Sequence, residues 1–109
     1  TGHAALVEFY RGEIAVTPNT ADWHLATNFL RAAVESTAGE GWRYDALNAR
    51  LTAAQGRLTP PDALALLKQV AQESTHWSIV YDISTGEIAV AISRHDSPQH
   101  LHVVFAQRI

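Results

Sequence analysis

The chain has 109 residues, 47% hydrophobic and 17% charged, with a formal net charge of −3 and a pI near 6.0. That is an ordinary globular composition with room for one domain and one core, and no basic stripe invites nucleic acid or anionic lipid. No apolar run approaches the roughly 20 residues of a membrane span, and the absence of cysteine excludes disulfides, thiolate metal sites and a cysteine nucleophile within this chain.

In chain order, Ala4 to Tyr10 is a strand candidate, Arg11-Gly12 a turn, and Glu13 to Thr17 the returning strand. Pro18-Asn19-Thr20 breaks the pattern. In Asp22 to Leu30, Trp23, Leu25 and Thr27 alternate with His24 and Ala26, the two-residue period of a third short strand. From Phe29 to Gly41 the signal is weak: Phe29, Leu30, Ala33 and Val34 suit a helical turn or two before a loop.

Trp42 to Gln55 reads as a helix with Tyr44, Leu47 and Leu51 on one side and Gly56 as its stop. A second helix starts at Thr59-Pro60-Pro61-Asp62, with Thr59 as N-cap and Pro60 at its first position. Its apolar face is Ala63, Leu64, Leu66, Leu67, Val70 and Ala71. Trp77 to Ile83, Ser84-Thr85-Gly86 and Glu87 to Ile92 form a second hairpin. Ile79, Tyr81 and Trp77 are expected to pack together against the Leu64, Leu67 and Val70 stripe. Arg94 to Gln99 is a polar loop, and His100 to Phe105 a last strand.

The order of three strands, two helices and three strands predicts an α+β fold, the helix pair covering one face of an antiparallel sheet. The pentapeptide Gly-Glu-Ile-Ala-Val occurs at Gly12–Val16 and at Gly86–Val90. Convergent hairpin chemistry explains it better than a duplication.

Several residues are candidates for chemistry. Thr27-Asn28 lies among Leu25, Ala26, Phe29 and Leu30; Asn28 either caps the next segment or offers its amide to a substrate. Arg43 stacks on Trp42 or Tyr44, or it faces a carboxylate or acyl carbonyl. His100 and His102 share a strand face and could form a metal pair with His95, Asp96 or His24, but a solvated face is the simpler reading, and no metal or cofactor is expected. A free Thr1 could serve as a nucleophile with its own amine as base. The simpler reading is that residue 1 is merely where a piece begins, and the only lysine, Lys68, is no nearby partner. A chain that opens Thr1-Gly2-His3 without methionine is expected to be a processed product or a piece of a longer chain.

Taken in order, Gly2-His3-Ala4-Ala5-Leu6-Val7-Glu8, Trp23…Ala26-Thr27-Asn28-Phe29, Arg43-Tyr44, Leu58-Thr59-Pro60…Ala63-Leu64…Leu67 and Thr75-His76-Trp77-Ser78-Ile79-Val80-Tyr81-Asp82…Thr85-Gly86 form a familiar series. It resembles the C-terminal half of the penicillin acyltransferase and choloylglycine hydrolase group of N-terminal-nucleophile amidohydrolases. The resemblance spans almost the whole chain, as a single domain or as the C-terminal portion of one.

It implies a four-layer αββα sandwich of which this chain supplies part of both sheets and one helical layer. It further implies that Asn28 positions the substrate or stabilises the oxyanion, and that Arg43 and Trp23 bind the substrate, a small amide or acyl compound. The family's nucleophile, a self-freed N-terminal cysteine, is not in this chain, so the expected partner is an N-terminal half or subunit that carries it. Alone, the chain is expected to be inactive on amides and to self-associate. The alternatives are a stand-alone α+β module that binds a small ligand or partner, and a threonine-nucleophile hydrolase beginning at Thr1.

Overall fold

The computed structural model describes residues 3–37, 41–94 and 97–106, with side chains as far as residue 92. The chain divides into two units, Thr1–Arg57 and Leu58–Ile109.

In the first unit, β1 (Ala5–Tyr10) and β2 (Glu13–Pro18) pair antiparallel from Ala5 opposite Pro18 to Tyr10 opposite Glu13. Their two-residue loop, Arg11 and Gly12, has φ of 52° and 82°. Positive φ at both central positions is what a type I′ turn requires, and that turn matches the twist of paired strands. Arg11 sets its guanidinium 5.2 Å from the centre of the Tyr10 ring, an exposed contact worth about 0.5–1 kcal/mol.

Exposure alternates along β1, so Leu6, Glu8 and Tyr10 are half-buried while Val7 and Phe9 face out. Pairing sets Val7 beside Val16 and Phe9 beside Ile14. All four are 60–72% exposed, an apolar sheet face without cover. A 3-10 turn, Arg31–Ala33, packs against the hairpin.

Helix α1 (Trp42–Ala54) buries Tyr44 and Leu47, with Leu51 half-buried on the same side. It ends one residue before the expected Gln55. Gln55 itself takes the left-handed conformation at φ 53°, and the Gln55 and Gly56 amides donate to Thr52 at 3.1 Å and Leu51 at 2.9 Å. Those two bonds satisfy the carbonyls that a helix end orphans. Gly56 is needed for a second reason. A Cβ there would come within 3.1 Å of the Trp23 ring and 3.2 Å of the Asp22 carbonyl.

The expected strand at Asp22–Leu30 is not formed, and the segment is irregular. Trp23, His24 and Leu25 are half-buried in succession, so the expected alternation fails at the start of the segment, although burial alternates from Leu25 to Leu30. The reason lies at Asn19. Its Oδ1 accepts the Ala4 amide at 3.1 Å and its Nδ2 donates to the Ala21 carbonyl at 2.8 Å. These bonds close the hairpin and turn the chain away before Trp23.

In the second unit, α2 (Pro60–Gln69) begins as expected, with Thr59 at the N-cap and Pro60 first. Thr59 Oγ1 accepts the Asp62 amide at 3.3 Å and donates to the Asp62 carboxylate at 2.7 Å. Leu64, Leu66 and Val70 are buried, and Ala63, Leu67 and Ala71 are half-buried.

Strands β3 (Trp77–Asp82), β4 (Glu87–Arg94) and β5 (Ser97–Ala106) form an antiparallel sheet in that order. The final strand is longer than expected and starts at Ser97, which pairs with Arg94 across a register shift. Ser97, Pro98 and Gln99, expected in the polar loop, thus belong to the strand, and His95 and Asp96 lie outside the described residues.

Helix α2 packs on β3 and β4, while α1 belongs to the first unit. The side of β3 expected to meet α2 is the wrong one. Trp77 and Tyr81 are 63% and 64% exposed, whereas Ala91, opposite Ser78, is 5% exposed. Ser78, Ala89 and Ala91 are small, so a helix approaches closely on their side, and the aromatic side is turned away.

Both copies of Gly-Glu-Ile-Ala-Val open a returning strand. Gly12 and Gly86 have φ of 82° and 78°, and each following Glu pairs with the last residue of the preceding strand. The loops differ, two residues in the first hairpin and four in the second, so the positive φ of the glycine is what they share. At the second turn, Asp82 Oδ1 accepts Ser84 Oγ at 2.6 Å, the Ser84 amide at 2.9 Å and the Thr85 amide at 3.3 Å. The Ser84 hydroxyl and then its amide hold the Asp82 carboxyl below its ordinary 3.8. The described chain is thus α+β, with two antiparallel sheets and two α-helices.

Candidate functional site

The irregular segment of the first unit is held at both ends. Asn19 fixes its start, and Glu8 fixes its end. The Glu8 carboxylate accepts the backbone N–H of Arg31 at 2.7 Å and of Ala32 at 2.9 Å. Charge-assisted bonds of this kind are about twice as strong as neutral ones. Between the anchors, the Phe29 and Tyr44 rings meet edge-on, 5.2 Å between centres and 61° between planes. The residue after Asn28 is thereby seated on the residue after Arg43.

Asn28 is exposed, and its side chain makes no hydrogen bond to another described residue. It does not cap the 3-10 turn, whose N-cap is Leu30 without a side-chain bond; Glu8 supplies that acceptor instead. Thr27 differs: its Oγ1 is buried and finds no partner among the described residues, a condition that costs about 1–3 kcal/mol. Arg43, half-buried, is the second residue of α1.

A cleft of about 250 Å³ opens beside this segment, lined among others by Trp23, His24, Leu25, Arg31, Tyr44 and Asn48. Trp23 belongs to its wall, whereas Asn28 and Arg43 do not line it. Tyr44 and Asn48 are one helical turn apart on α1, which brings both to the same side.

Glu8 and Arg31 were not singled out by sequence reasoning. One signal was present: Glu8 shares the strand parity of Leu6 and Tyr10, and a carboxylate on the half-buried side of a strand needs donors.

No group of three His, Cys, Asp or Glu among the described residues is placed to hold a metal. His95, Asp96 and Thr1, and the side chains of His100 and His102, lie outside what the structure describes. No helix among the described residues is long and apolar enough to cross a membrane. Comparison with family models, curated proteins and solved structures finds no match for this chain.

Proposed function

We propose that this chain is the C-terminal portion of a linear-amide hydrolase or acyltransferase of the αββα kind, with Asn28 supplying its amide to the substrate carbonyl. The observation that carries this reading is an unspent amide on an anchored segment: Asn28 is exposed, and the capping task that would otherwise explain it is done by Glu8. Oxyanion stabilisation needs a donor whose placement costs little reorganisation when charge develops, and the anchors at Asn19 and Glu8 fix the backbone on which Asn28 stands.

The uncovered apolar faces agree with it. Val7, Phe9, Ile14 and Val16 on one sheet, and Trp77 and Tyr81 on the other, are what sandwich layers would bury. The nucleophile, a cysteine with its own amine as base, would come from the N-terminal half, and Arg43 would face the acyl group.

The test is the coding sequence upstream of Thr1, followed by an assay of the joined halves on a chromogenic acyl anilide. An in-frame segment led by a self-cleaved cysteine, with anilide turnover, supports the proposal. A start codon immediately before Thr1, or joined halves without amidase activity, overturns it.

A further inference from the structure

We propose that the cleft beside Trp23 binds a small carboxylic acid with an apolar body. The site belongs to this chain alone and does not depend on the amidase reading. Arg31 brings the one fixed cation to the cleft lining, and no Asp or Glu is among the described residues that line it. In a chain of net charge −3, a concavity lined by an arginine that has no ion-pair partner among the described residues, the Glu8 carboxylate being engaged by the Arg31 and Ala32 amides, favours an anion over a neutral ligand. One cation matches a monoanion, and the planar fork of a guanidinium fits a carboxylate with two parallel bonds.

The rest of the lining agrees with that occupant. Asn48 makes no side-chain hydrogen bond to another described residue, so its amide is available as a second donor. Trp23, Leu25 and Tyr44 supply apolar surface for the body of the ligand. The cleft is smaller than the roughly 300–1,000 Å³ of sites for drug-sized molecules, which limits the occupant to a short acyl or aryl acid. The position of Arg31 is also set in advance, because Glu8 grips its backbone amide. Side-chain substitution at Arg31 leaves that bond in place.

The test is an NMR titration of the full 109-residue chain with hexanoate, and with hexanamide as its uncharged counterpart. Trp23→Phe assigns the relevant indole signal. Hexanoate should shift the Trp23 indole N–H and the amides around Arg31, and hexanamide should bind at least about tenfold more weakly, as expected for loss of a charge-assisted contact. Arg31→Gln should weaken hexanoate by a similar factor, and Arg31→Lys by less. Equal affinity for hexanoate and hexanamide overturns the proposal, as do shifts confined to residues off the cleft or no binding at tens of millimolar. Should Arg31→Gln fail to fold, the acid-against-amide comparison in the unmodified chain, with Asn48→Ala, still decides the matter.

Discussion

The Glu8 carboxylate accepts the Arg31 backbone amide at 2.7 Å, across 23 positions of sequence. This bond joins a strand to an otherwise irregular segment, and the Ala32 amide at 2.9 Å doubles it. Glu8→Ala would leave two amides without their acceptor, so stability should fall by about 1–2 kcal/mol. Hydrogen exchange at Arg31 and Ala32 should accelerate in the variant. Unchanged exchange at both positions would show that the bond does not hold in solution.

What could be read ahead of the structure follows the range of the forces involved. Both hairpins and α2 were legible because their determinants are local: Gly12 and Gly86 at positive φ, Thr59 at its cap, Pro60 in the first turn. The path from Asp22 to Leu30 was not legible. Its anchors are side chains bonding distant backbone, Asn19 to Ala4 and Glu8 to Arg31, and no periodicity encodes them. The packed side of β3 was also hidden. Ile79 and Val80 are apolar on opposite sides, and the choice fell to small Ser78, Ala89 and Ala91, whose alignment depends on strand register. Trp23 and Asn28 could be named as candidates, but the cleft required Arg31, which only the folded segment brings there.

Thr59 tests the local side of this account. Its Oγ1 both accepts from and donates to Asp62, so Thr59→Ala should cost about 1 kcal/mol. Thr59→Ser, which keeps the hydroxyl, should cost much less. Thermal melts of the three proteins check the order; equal melting temperatures would show that the cap adds nothing.

Asp82 sets an acid dependence. Its folded carboxyl titrates below its ordinary 3.8, chiefly through the Ser84 hydroxyl and amide. A depressed folded value means stability that is fully present above the unfolded value and is lost as pH falls through the folded one. Asp82→Asn should therefore lower the melting temperature at neutral pH. The gap from the parent protein should close as pH drops below 3.8. A gap independent of pH would rule out titration of Asp82 as its source.

The uncovered hairpin face bears on association. Val7, Phe9, Ile14 and Val16 form an apolar strip on one side of two paired strands, the kind of surface that associates. The isolated chain is expected to self-associate as concentration rises, and Phe9→Lys with Ile14→Glu should reduce this without disturbing the cross-strand pairing. Sedimentation velocity measures it directly. A monomer at every concentration would remove this argument for a missing layer.

Asn28 is the residue on which the proposed chemistry turns. Its amide is exposed, and it does not cap the turn that follows, so removing it should barely touch the fold. In the joined enzyme, Asn28→Ala should reduce turnover by about 10²–10³, the loss seen when one oxyanion donor is removed. Stability should change by less than about 0.5 kcal/mol, as at an ordinary surface position. Asn28→Asp sharpens the point, since a carboxylate there would repel the developing oxyanion and should be at least as damaging as Ala. If turnover survives both substitutions while the melting temperature drops, the amide has a structural task, and the catalytic role must pass to another donor.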